Sequence, residues 1–127
     1  MVALSFSLFK NKLLSAEKTQ TVRTPRKSPI KVGCKLQIYW KQRSPKESEK
    51  LFDAECTKVQ SISINHLRKE VYLDNTTLSA TEIEHFAQLD GFENSEDFFD
   101  YFGEFKGVVI HWKRLVTELT EENNEQT

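Results

Sequence analysis

The chain carries only two cysteines, Cys34 and Cys56, and they lack a CxxC spacing. Two are too few for a disulfide framework. With no export signal, the reading is two reduced thiols in a cytoplasmic protein. Histidine is also sparse. His66, His85 and His111 are scattered, with no H-x-E, HExxH or Cys/His cluster, so neither a metal site nor a cofactor is expected. No apolar run approaches the roughly 18–20 residues that cross a bilayer, so no membrane partner is expected. The opening MVALSFSLF could pass for a short secretory core, but no basic residue precedes it and no small-residue cleavage site follows. Lys10 and Lys12 come instead, and the segment reads as a strand.

What is present describes one soluble domain. The chain has 127 residues, 38% apolar and 29% charged, enough for a modest core and too apolar for disorder. Residues 1–117 read as the domain and the acidic stretch 118–127 as a frayed tail. The net charge of −1 hides an asymmetry. Residues 10–50 hold twelve Lys and Arg against three Asp and Glu, a surplus of nine positive charges, while 51–127 hold six against sixteen. A basic segment inside a neutral chain suits a polyanion-binding face. It equally suits a solvated surface whose lysines pair with the acidic half.

Periodicity sets the elements. VALSFSLF alternates and predicts a strand over 2–9. FKNKLLSAEK reads as a short helix or turn, and TQTVR as a strand with Thr19, Thr21 and Arg23 on one face. Pro25, Pro29 and Gly33 mark a loop. KLQIYW is a strand, KQRSPKESEK a charged loop, LFDAECTKVQSISI a long strand or a bent pair, and EVYL one more. Ser79 and Glu82 form a capping-box pattern ahead of a helix whose stripe is Ile83, Phe86, Ala87 and Leu89, with Gly91 as its stop. Asn94 or Ser95 caps a second helix burying Phe98, Phe99 and Phe102, and Gly103 ends it. GVVIHW closes as a strand. Without βαβ alternation a parallel doubly wound sheet is disfavoured. The expected class is mainly β with helices (α+β): a small antiparallel barrel with one short early helix and two later ones.

The chemistry-bearing stretch is AEKTQTVR, residues 16–23. Threonine becomes a nucleophile only when a base takes its proton. Lysine can be that base only if burial or a neighbouring cation lowers its pKa. Lys18 at the turn can reach the face of Thr21 and Arg23, so the arrangement is chemically possible, although a turn lysine and strand threonines are common without any such role. Tyr39, Trp40, Lys41 and Arg43 interleave aromatic and basic types, as stacking and phosphate contact require. Arg26, Lys27 and Lys31 suit phosphate contact more than base reading.

The octapeptide resembles the signature G-x-K-x-x-T-x-R of the ASCH domain family, relatives of the PUA domains. Lys18, Thr21 and Arg23 match in register, and Ala16 stands at the glycine. KVGCKLQIYWKQR and KLFDAECTKV are similar to the family's G-D-x-L turn and following strands, with Cys34 at the aspartate. LDGFENSEDFFDYF and FKGVVIHW are similar to its later helix and closing strand. The likeness covers roughly residues 3–113. It implies a PUA-like β-barrel with a cleft lined by the signature, and RNA or a nucleotide-like ligand as partner. Some members remove the acetyl group from N4-acetylcytidine, and ribonuclease activity is reported for another. For the amidohydrolases the resemblance implies Lys18, Thr21 and Asp90 of LDGF as working residues, Asp90 being one methylene shorter than the family's glutamate. For binding it points to Lys18, Thr21 and Arg23, to which the residues themselves add Arg26, Lys27, Tyr39, Lys41 and Arg43. The expectations are a binding module first and an amidohydrolase second. A nuclease would need Lys18 and Arg23 to stabilise a phosphorane without a metal cluster. A protein-interaction module built on the acidic helices is the remaining reading.

Overall fold

A computed structural model describes residues 1–116. The expectation of a frayed tail lies outside the described residues.

The architecture is α+β, one open mixed sheet of seven strands with three helices. Strand β1 spans Val2–Phe6, helix α1 Lys10–Leu14, β2 Gln20–Arg23, β3 Lys35–Trp40, β4 Glu49–Asn65, β5 Glu70–Leu73 and β6 Thr76–Thr77. Helices α2 (Ala80–Leu89) and α3 (Ser95–Phe102) precede β7, Phe105–Arg114. The spine is β4, 17 residues long. It runs antiparallel to β7 along most of its length, to β3 through its first half and to β5 through its second. Two register shifts, one at Leu51 against β3 and one between Cys56 and Lys58 against β7, bulge it without ending it.

The expectation of a wholly antiparallel sheet is corrected at β1, which pairs β3 in parallel, Val2 opposite Leu36 through Phe6 opposite Trp40. Parallel neighbours need a crossover. Here the crossover includes α1 and β2, and β2 joins the far side of the sheet beside β7. Strand β1 stops at Phe6, short of the expected residue 9. Its partner β3 ends at Trp40, and Phe9 takes a left-handed conformation (φ 65°) to start α1. No ladder joins β1 to β2 among the described residues; the Arg23 guanidinium bridges them, donating from Nη2 to the Ser5 carbonyl at 2.6 Å.

The helices form where the sequence signals them. Ser79 Oγ accepts from the Glu82 amide while Glu82 Oε1 accepts from the Ser79 amide. Asn94 Oδ1 caps α3 through the Asp97 amide at 2.8 Å. Two apolar clusters follow. One packs Leu4, Leu13, Leu36, Ile38, Cys56 and Trp112. The other packs α2 and α3 onto β4, β5 and β7, with Phe98 wholly buried. No helix among the described residues is long and apolar enough to cross a membrane.

Candidate functional site

Between the two clusters lies a cavity of about 460 Å³, within the range of small-ligand sites. The end of β1, strand β2, the C-terminus of α2 and the face of α3 enclose it. Lys18, Thr21, Arg23 and Asp90 all line it. Its apolar walls include Phe6, Phe9, Phe92, Phe102 and Phe105, and Tyr101, 60% exposed, stands at the mouth.

Asp90 arrives there because α2 ends in a tight reversal. Asp90 is the C-cap, and Gly91 takes φ 112°, a conformation glycine adopts without strain. The Phe92 amide reaches back to the Ala87 carbonyl, the long closing bond of a Schellman turn. This leaves α2's last carbonyls facing α1 and β2. Lys18 Nζ donates to the Asp90 carbonyl, and Lys12 Nζ donates to the Gly91 carbonyl at 2.6 Å. Cations at a helix C-terminus also match its dipole. Lys18 Nζ additionally lies 3.3 Å from Asp90 Oδ1.

Both members of this pair are 3% exposed. Burial, the largest influence, pushes the Lys18 ammonium below the ordinary lysine range; Asp90 opposes that shift, while Arg23 and Lys12 add to it. Burial pushes the Asp90 carboxyl up, and Lys18, Gln20 and Arg23 pull it back. Desolvation therefore outweighs the mutual attraction at both groups, the balance expected of a buried pair. Gln20 Nε2 is buried nearby and completes no hydrogen bond of full geometry.

Arg23 is less enclosed. It stacks over Phe6 at 4.6 Å and donates from Nε toward Thr21 Oγ1 at 3.4 Å, a weak contact. Thr21 is 6% exposed and is held in the β2–β7 ladder opposite Ile110. Among the described residues its hydroxyl has no side chain able to act as a base within hydrogen-bond reach; Arg23 is only a donor.

The remaining expected binding residues lie off the cavity. Arg26 and Lys27 are exposed on the loop after β2, and Arg26 is near enough to Arg23 to disfavour its charge. Tyr39 pairs with Ser5 on the β1–β3 ladder. Lys41 pairs with Glu47 at 3.2 Å, and Arg43 is exposed on the same loop. Trp40 packs at the margin of the first cluster, with the Lys10 and Lys41 ammoniums over its ring. Among the cavity residues the sequence did not single out are Ser5, Phe6, Phe9, Phe92, Tyr101 and Phe105. Phe92 had a signal, an apolar residue just past a helix-ending glycine.

At the signature's leading position Ala16 is left-handed, φ 66°. A glycine-like backbone is kept there at the cost of strain in an alanine. No family model, curated protein or solved structure matches the chain.

Proposed function

We propose that the protein is a binding module of the ASCH, PUA-like type that holds one nucleotide unit, free or within single-stranded RNA, in this cavity. The observation that carries the proposal is the meeting of Lys18, Thr21, Arg23 and Asp90 in one aromatic-walled hollow of nucleoside-compatible size. Aromatic faces accept a base by stacking, worth about 1–3 kcal/mol per base. The polar floor supplies donors and one carboxylate acceptor to its edge. The exposed cations Arg26, Lys27 and Arg43, with the half-buried Lys41, would meet backbone phosphates outside, which positions a strand without reading it. The open sheet, with its edges bridged by Arg23, is compatible with a barrel of the PUA kind.

The test is a titration of labelled single-stranded RNA at two salt concentrations. Wild-type affinity falls steeply with salt. Thr21→Val, which removes only the hydroxyl at the cavity floor, weakens binding at both. RNA binding indifferent to salt and to Thr21→Val contradicts the reading.

A second reading, an amidohydrolase on N4-acetylcytidine-like substrates, is favoured by one observation: the Lys18 ammonium, held below its usual range, lines the same hollow as the Thr21 side chain. There water would be consumed as the amide splits to amine and carboxylic acid. It ranks second because Thr21 touches no base. Cytidine released from N4-acetylcytidine by the wild type and not by Thr21→Val supports it, and no release refutes it.

A further inference from the structure

The cavity holds more positive charge than negative. Lys18 and Arg23 line it against Asp90 alone. Lys12 from α1 holds the adjoining Gly91 carbonyl, and Arg26 adds its field from the loop. The groups facing Lys18 and Arg23 from the packed elements are Lys12 on α1, Asp90 at the end of α2 and Tyr101 on α3. Donors also exceed acceptors. Lys18 gives its contacts to Asp90, which leaves one of three N–H groups uncommitted. Arg23 commits Nη2 to Ser5 and Nε to Thr21, leaving Nη1 without a protein partner among the described residues. The Thr21 hydroxyl, which accepts from Arg23, donates to no partner among the described residues.

We infer, building on the nucleotide reading, that the occupant brings a negative charge into the cavity itself. The ligand class is then a nucleotide whose phosphate meets Arg23 and Thr21 while its base lies among the phenylalanines, not a neutral nucleoside. An anion there balances the surplus cation. It also raises the Lys18 pKa from its lowered position, so binding is accompanied by proton uptake wherever Lys18 is part-deprotonated in the free protein. A free 5′-monophosphate and a phosphodiester within RNA share this chemistry.

Calorimetry with uridine, uridine 5′-monophosphate, the dinucleotide UpU and inorganic phosphate tests it, run in two buffers of different ionisation enthalpy. The expected result is that the monophosphate or UpU binds at least about tenfold more tightly than uridine, the scale of one hydrogen bond to a charged group. Which of the two is tighter identifies the source. Proton uptake accompanies binding, and Arg23→Gln, shown to be folded by circular dichroism, binds the monophosphate and UpU no more tightly than the wild type binds uridine. Equal binding of uridine and the phosphorylated ligands overturns the anion subsite and leaves the nucleotide reading standing. Inorganic phosphate binding as tightly as the nucleotides also overturns it, because the aromatic walls would then be idle. If none of the four ligands and no RNA binds, the nucleotide reading itself fails.

Cys34 and Cys56 meet independently of this site. Just past the Lys35–Glu55 pair, the Gly33 amide donates to the Cys56 carbonyl at 2.8 Å and the Cys56 amide donates to the Cys34 carbonyl at 2.9 Å, so Gly33, at φ 91°, and Cys34 together face Cys56 in a bulge. The direct backbone hydrogen bond between them keeps the two residues adjacent across the strands, as a disulfide requires. Both side chains pack in the same cluster, Cys56 wholly buried and Cys34 half-buried. The structure assigns this pair as a cross-strand site of reversible oxidation. A small-molecule disulfide such as oxidised glutathione is the oxidant. The Cys34 thiolate attacks one of its sulfurs and expels a glutathione thiolate. Cys56, deprotonated, then attacks the Cys34 sulfur and expels the second. Two protein thiols are oxidised and one external disulfide is reduced. After incubation with oxidised glutathione, intact mass shows the loss of two hydrogens and no thiol reacts with alkylating agent after denaturation, and Cys34→Ser stays unbridged. Two alkylatable thiols, or a stable glutathione adduct on Cys34, overturns the assignment.

Discussion

Lys18→Met strands the Asp90 carboxylate in the interior. The Lys18 ammonium sits 3.3 Å from Asp90 Oδ1. At an effective dielectric of about 20, unit charges at that separation attract by about 5 kcal/mol. Removing each ion from water costs several kcal/mol, so attraction and desolvation nearly cancel and the pair itself adds little net stability. Losing one partner is different. The remaining buried charge keeps its desolvation cost without compensation, and the expected loss is about 3–5 kcal/mol. Asp90→Asn strands Lys18 less severely, because the amide oxygen and the Asp90 backbone carbonyl still accept from it. In the double variant no charge is stranded. Its loss should fall short of the sum of the single losses by about 1–3 kcal/mol. Urea unfolding followed by circular dichroism measures this, with unchanged m-values as the check that only stability moved. Single losses that add to within about 0.5 kcal/mol refute the claim of a desolvated, coupled pair.

The same pair sets a pH dependence. Asp90 is raised above its ordinary 3.8, so above that pH the unfolded chain loses a proton the folded chain keeps. Stability of the wild type relative to Asp90→Asn therefore falls as pH rises from 3.8 through the folded pKa; a relative rise over that window counts against it. Lys18 is lowered from 10.5, so stability climbs again toward pH 10.5, where the unfolded chain also releases its proton, and Lys18→Met abolishes that climb in alkaline urea titrations. Ala16→Gly relieves a left-handed alanine. The relief of about 1–2 kcal/mol, less about 0.5–1 for glycine's flexibility, leaves a net gain of up to about 1.5 kcal/mol in thermal or urea unfolding; a loss there means that the turn is not strained. Gly91→Ala forces a side chain at φ 112° to within 2.7 Å of the Phe9 ring. It should destabilise the fold by well over about 1 kcal/mol and weaken RNA binding together. In Gly107→Ala the new Cβ would stand 2.3 Å from the Arg23 carbonyl, pushing β2 off β7, and the same pair of assays should report it.

Local signals carried most of the elements. The Ser79–Glu82 box, the Asn94 cap and the glycines at 91 and 103 mark the ends of α2 and α3, because caps are written in adjacent residues. The alternation of KLQIYW gave β3 its full extent. Pairing was not legible. Nothing in the order of strands reveals that β2 crosses to β7 and leaves β1 parallel to β3, since a strand's partner depends on contacts distant in sequence. Strand β6, two exposed threonines, has no apolar pattern to betray it. At the site, the spacing of Lys18, Thr21 and Arg23 put them near one another, and the resemblance added Asp90. The wall residues Phe6, Phe9 and Phe105 belong to elements that converge only in three dimensions. Phe102, read as core from its helical stripe, faces the cavity as well.

The most direct measurement is an amide chemical-shift map of the folded protein titrated with single-stranded RNA and with a nucleotide. The account predicts that the largest shifts fall on residues 18–24, on Asp90, Gly91 and Phe92, and on Tyr101, all around one hollow, and that Thr21→Val reduces them. Shifts confined to the 41–47 loop and the outer faces of α2 and α3, with the cavity residues unmoved, contradict it.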